Sequence, residues 1–119
     1  MAVSDAIRPG EILVEAGHER AAIDVERVAY FVHALRVRVV TTQGRGYALD
    51  HSLDELEGRL DPKRFFRLNG QLLTHRQSVQ KAHALARGRI EVELWPPFGA
   101  HVVVPPERAA AFEQWWQAS

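Results

Sequence analysis

The sequence contains no cysteine. That excludes disulfide frameworks, cysteine-based zinc sites and thiol nucleophiles. No apolar run approaches the length that crosses a membrane as a helix. Met1 to Asp5 carries no basic segment followed by an apolar core, so no secretory leader is expected and a cytoplasmic location follows by default. Net charge is also missing: 15 Lys and Arg balance 15 Asp and Glu, whereas domains that bind nucleic acid usually carry a basic excess. Metal and enzyme signatures are equally scarce. The six histidines, at 18, 33, 51, 75, 83 and 101, form no close helical pair of the kind that ligates zinc. Ser4, Ser52, Ser78 and Ser119 stand in no nucleophile-elbow context. Gly44-Arg45-Gly46 lacks the following helix that a phosphate loop needs. No enzyme activity, metal or cofactor is expected.

What is present is one domain of ordinary globular composition, 46% hydrophobic and 25% charged in 119 residues. Residues 1–10 read as a flexible lead-in, and 11–119 as the domain. The patterning is mainly β with two short helices. Glu11 to Glu15 reads as a strand. The run from Asp24 to Val32 is ambiguous, but its β-branched and aromatic content favours a turn followed by a strand from Val28. Val37 to Thr42 and Gly46 to Leu49, joined at Gln43-Gly44, have the signature of a hairpin. Ser52-Leu53-Asp54-Glu55 is a capping box, and Leu53, Leu56 and Leu60 share one helical face; Asp61-Pro62 ends that helix. Beyond it, a turn over Pro62 to Phe65 and a short strand from Phe66 are expected, with strands resuming near Val79. Arg89 to Trp95 alternates strictly and is the strongest strand in the chain. Pro105-Pro106-Glu107 starts the last helix. Phe112 and Trp116 share its inner face, which leaves Trp115 to an exposed or interface position and a possible protein partner.

The charges segregate. From Asp61 to Arg89 stand Lys63, Arg64, Arg67, Arg76, Lys81, Arg87 and Arg89 against the single acid Asp61, while Asp50, Asp54, Glu55 and Glu57 cluster just before. The stretch from Asp61 to Val79 joins adjacent aromatics, four cations and a polar Asn69-Gly70-Gln71 break. As a connecting loop it would carry solvated arginines. As a DNA-facing surface it would offer Arg and Lys to phosphates and Asn, Gln, His and Arg to base edges.

The order of these parts resembles the LytTR-type DNA-binding domain, the output domain of many bacterial response regulators. The resemblance rests on Val25-Glu26-Arg27-Val28-Ala29-Tyr30-Phe31, the hairpin from Val37 to Gly44, and Ser52-Leu53-Asp54-Glu55-Leu56-Glu57 with Leu60-Asp61-Pro62 and Phe65-Phe66-Arg67. Val79 and Val102-Val103-Val104 before the final helix also fit. It implies an elongated fold of small antiparallel sheets whose loops enter successive major grooves of double-stranded DNA. It also implies two-component transcription regulation in the cytoplasm, as a possible homodimer on direct repeats, under a separate receiver or sensor module. On this reading Arg36, Lys63, Arg67 and Arg76 hold phosphates, and Asn69, Gln71 and His75 lie nearest the bases. The family pattern after Phe-x-Arg is apolar-His-Arg-Ser and later Val-Asn; here it is Leu68-Asn69-Gly70-Gln71 and Thr74-His75. The family's Val-Ser-Arg before the last helix is here Val104-Pro105-Pro106, and the loop before the central hairpin holds Leu35-Arg36. These changes leave an alternative: a degenerate LytTR-like domain that has lost DNA binding and serves protein–protein interaction or dimerisation.

Overall fold

The structure, a computed structural model, describes residues 7–118. Most of the expected lead-in, residues 1–6, lies outside the described residues. The rest of it is not a loose tail: Ile7–Arg8 form strand β1 and pair with β2 (Glu11–Ala16), which pairs in turn with β3 (Glu19–Asp24). Ile7 is buried, and that burial ties the segment down.

The centre of the molecule is a five-stranded antiparallel sheet. Its strands are β4 (Val28–His33), β5 (Val37–Thr41), β6 (Gly46–Leu49), β7 (Phe65–Asn69) and β8 (Leu72–His75), in the order β6-β5-β4-β8-β7. One face is covered by β1–β3 and by helix α1 (Leu53–Arg59). The other is covered by the sheet of β9 (Val79–Ala84), β10 (Ile90–Leu94) and β11 (Val102–Val104), and by helix α2 (Pro106–Gln117). Two cores result. Phe31, Val39, Leu56 and Leu73 belong to the first; Tyr30, Leu68, Val92 and Phe112 belong to the second. The molecule extends 50 × 25 × 25 Å, an elongated shape.

Covering both faces explains why β4 has an ambiguous sequence. A strand buried on both sides reads as a continuous apolar run rather than an alternating one. Val28 and Phe31 enter the first core, and Ala29, Tyr30 and Val32 the second. Two consecutive residues on one side require a break in register, and the β4–β5 pairing shifts between Val28 and Tyr30. The same effect hid β8. Leu72-Leu73-Thr74-His75 lies between β4 and β7 with all four residues buried, so it shows no alternation. The stretch from Phe65 to His75 is therefore a hairpin, turning at Gly70-Gln71 after Asn69, and not one short strand and a loop.

Local rules account for the punctuation. Ser52 Oγ accepts from the Glu55 N–H at 3.0 Å, and Glu55 Oε1 accepts from the Ser52 N–H at 3.2 Å, so the capping box forms as expected. Together with the neighbouring His51, that cap holds the Glu55 carboxyl below the usual range. Two 3-10 turns, Val25–Arg27 and Arg76–Ser78, lead into β4 and β9. Each is capped by the side chain before it: Asp24 Oδ1 accepts from the Glu26 N–H at 2.8 Å, and His75 Nδ1 from the Gln77 N–H at 3.1 Å. Gln77 Nε2 then donates to the Glu26 carbonyl at 2.5 Å and joins the two turns.

Candidate nucleic-acid interface

Three connections meet along one edge of the molecule. The β4–β5 loop, residues 34–36, is closed by the Ala34 N–H on the Arg36 carbonyl at 3.2 Å and presents Leu35, which is 98% exposed. The His33 N–H donates to the Gln71 carbonyl at 2.9 Å, which fixes this loop beside the β7–β8 turn. Asn69 Nδ2 donates to the Val103 carbonyl at 3.0 Å, which fixes that turn beside β11 and the start of α2. Arg108, in the first turns of α2, donates to the Arg67 carbonyl at 3.1 Å across the same seam.

The side chains expected to face DNA are distributed very differently from one another. Gln71 is exposed at the turn, and Arg36 is exposed in the loop with an ion pair to Asp50 at 3.2 Å. An exposed pair of this kind is worth no more than about 1 kcal/mol, so a phosphate can displace Asp50 at little cost. Arg67 is on the same edge but is only 11% exposed along its side chain. Its guanidinium reaches the Asn69 and Gly70 carbonyls at 2.9 and 3.0 Å, and Asp54 and Glu57 of α1 at 2.7 and 3.2 Å. It is a strut that bolts α1 to the turn. Asn69 is also committed: its Oδ1 accepts from the Gln71 N–H at 2.8 Å, forming the turn, while its amide holds β11. We expect Arg67→Ala to destabilise the domain by about 2 kcal/mol, the scale of losing charge-assisted hydrogen bonds. Urea unfolding would measure this, and a change below the error of the midpoint would remove the strut.

Lys63, His75 and Arg76 stand at the other end of the β7–β8 hairpin. Phe65 pairs with His75, so about four residues of strand, some 13 Å, separate them from Gly70. Lys63 is exposed there. Arg76 donates to the Trp115 carbonyl at 2.7 Å and to that of Trp116, and its guanidinium lies 5.9 Å from the Trp115 ring centre. It caps the C-terminal end of α2, where the helix dipole favours a cation. His75 corrects the sequence reading. It is 5% exposed, packs edge-on against Phe65 at 4.8 Å and caps the second 3-10 turn, so it has no surface to offer a base. Burial, with a smaller contribution from the Arg64 charge, pushes its pKa down to about 4. Glu26 Oε1 lies 3.6 Å from its Nε2 and would favour the charged ring, but Arg64 pairs with Glu26 and offsets that attraction.

Trp115 is a second correction. Positions 112, 115 and 116 fall within one helical stripe, and both tryptophans face inward. Trp115 is buried against Phe66, ring centres 5.2 Å apart, with Nε1 donating to the Lys63 carbonyl at 3.1 Å. The exposed tryptophan is Trp95, at 59%. Sequence reasoning placed the odd residue in the wrong element, because spacing along a helix does not reveal how wide a face its neighbours cover.

The family model of the LytTr DNA-binding domain matches residues 18–117. The chain belongs to the LytTR family. Among solved structures, the LytTR fold seen here matches the LytTr DNA-binding domain of a methyl-accepting/DNA response regulator from Bacillus cereus. The TM-score is 0.77, covering 91% of this chain and 97% of that one. At 13% identity the likeness is one of fold. No curated protein matches the chain. The three connections on the common edge carry Leu35-Arg36, Asn69-Gly70-Gln71 and Pro105-Pro106. Among the described residues, no helix is long and apolar enough to cross a membrane, and no group of three or more His, Asp and Glu side chains could hold a metal.

Proposed function

We propose that this LytTR domain binds double-stranded DNA sequence-specifically, through loops that enter the major groove, and acts in bacterial transcription regulation in the cytoplasm. The supporting observation is the joining of three loops along one edge by hydrogen bonds from His33 to Gln71 and from Asn69 to Val103. An elongated molecule with its loops on one edge suits a duplex, whose successive major grooves lie one helical turn apart. In this reading Gln71 reads base edges, since its amide can pair with adenine through two bonds, and Arg36 exchanges Asp50 for a phosphate. Arg67 and Asn69 act by shaping the turn that carries Gln71. Lys63, His75 and Arg76 lie outside the contact edge. Two domains side by side on direct repeats form the proposed assembly.

Fluorescence anisotropy with a pool of genomic duplex fragments, repeated over a salt series, tests this. Binding should weaken steeply as salt rises, because each phosphate contact contributes about 0.9 to the logarithmic slope. Sequencing of the retained fragments should yield a common site, and Gln71→Ala should change the preferred sequence more than the salt slope. No binding at low salt would favour the second reading, a family member that keeps the fold for protein interaction. The internal commitment of Arg67, Asn69, His75 and Arg76 is the observation on its side.

A further inference from the structure

We propose that the tip of the β9–β10 hairpin, Arg87 with Arg89, is a phosphate-binding element of this domain that grips the DNA backbone beside the loops described above; the inference rests on the DNA-binding reading. Sequence reasoning counted Arg87 and Arg89 among the segregated cations and gave them no role of their own.

Position comes first. Ile90 pairs with Ala84 on one side and with Val104 on the other, so the hairpin tip lies where β11 passes into α2. A Cβ on Gly88 would stand 3.5 Å from the Cβ of Pro106, which places the tip against the first turn of α2. Asn69 is tied to Val103 in that same strand. The tip thus extends the loop edge into the third layer of the molecule.

Charge is the second consideration. Of the other arginines near this edge, Arg67 is held by Asp54 and Glu57 and Arg108 by the Arg67 carbonyl, while Arg36 must first release the exposed carboxylate of Asp50. Arg87 and Arg89 are both exposed. Arg89 donates Nε to the Ala86 carbonyl at 3.1 Å, within its own loop, and the residue is exposed. Neither residue has a carboxylate partner among the described residues. Glu107 is the acid in the first turn of α2, next to Pro106.

The third consideration is backbone conformation. The Leu85 N–H bonds the Arg89 carbonyl at 2.8 Å and closes a three-residue loop. Within it Arg87 has φ 65° and Gly88 φ 77°, and Arg87 is the one non-glycine residue with positive φ among those described. Glycine adopts this conformation without a steric penalty, whereas a side chain pays one. Arg87 is exposed and belongs to neither core. A long cation retained at a strained, solvent-facing tip is best explained by a partner outside the chain. That partner is the sugar–phosphate backbone: the element offers charge and no shape for a particular base.

The test uses Arg87→Gly, Arg89→Ala, their combination, and Arg45→Ala as a control for net charge. Arg45 follows β5 at the edge away from the His33–Val37 pairing. Anisotropy of a labelled duplex of random sequence over a salt series gives affinity and slope, and calorimetry gives the unfolding midpoint. Arg87→Gly should raise the midpoint by a few degrees, as the strain is released, while weakening binding. The double variant should bind on the order of ten- to a hundredfold more weakly near 0.1 M salt and lose about 1.8 from the slope, the value for two phosphate contacts. Arg45→Ala should bind like the parent. Unchanged affinity and slope in the double variant, with a parent that binds, would overturn the assignment alone. Equal losses in Arg45→Ala would overturn it too, because the effect would then be one of net charge. A parent that binds no duplex at low salt would overturn the DNA-binding reading and this inference with it.

Discussion

Phe112→Ala is expected to cost the domain about 3–5 kcal/mol, the range for truncating a fully buried aromatic ring. Phe112 has no exposed surface and stands at the centre of an aromatic cluster, its ring centre 5.9 Å from Phe66, 6.0 Å from Trp115 and 5.9 Å from Trp116. These contacts seat α2 on the central sheet. A domain of this size holds roughly 5–15 kcal/mol of stability, so the loss is a large share of the whole. It should also spread to the loop edge, because the first turns of α2 support the hairpin tip through Pro106 and the β7–β8 turn through Arg108. Urea unfolding followed by circular dichroism would measure the change. A loss below about 1 kcal/mol would mean that the cluster repacks around the space, as cores sometimes do.

Acidification is expected to remove about 3 kcal/mol of stability as pH falls from about 6.5 to about 4. The sign follows from His75. Its pKa is pushed down to about 4 in the folded chain by burial first and by Arg64 second, from an ordinary value near 6.5. Between these values the unfolded chain binds a proton that the folded chain refuses, so stability rises with pH across the window and is fully present above it. The difference of about 2.5 units at 1.36 kcal/mol each gives the magnitude. His75→Asn isolates it. An asparagine oxygen can still accept the Gln77 N–H and cap the 3-10 turn, but it cannot titrate. The urea midpoint of the variant should fall less between pH 6.5 and 4 than that of the parent. Parallel curves would show that His75 is not the group that titrates.

The fates of particular residues show how far sequence reading reaches. The capping box at Ser52, the stop at Asp61-Pro62 and the strand expected over Arg89 to Trp95 follow from rules that act over two to four residues, and all three form, the strand as Ile90–Leu94. The fold class was legible for the same reason, since alternation and helical stripes are local. Asn69 carried a clearer message than it was given. An Asn before Gly is a turn signal first, and here its oxygen caps the turn. Asp24 and Asp61 make the same kind of bond two residues ahead.

Arg67, His75, Arg76 and Trp115 were beyond such reading. Each is decided by a partner distant in sequence: Arg67 by Asp54 and Glu57, His75 by its place beside Phe65, Arg76 by the end of α2, and Trp115 by Phe66 and the Lys63 carbonyl. A cation's residue type is the same whether it faces a phosphate or a buried carbonyl. The sequence by itself determined the elements, their caps and their order, because these depend on neighbours along the chain. Only the tertiary structure decided which charges remain exposed and which loops share an edge, because long-range packing takes some side chains out of water and leaves others, such as Arg87 and Gln71, in it.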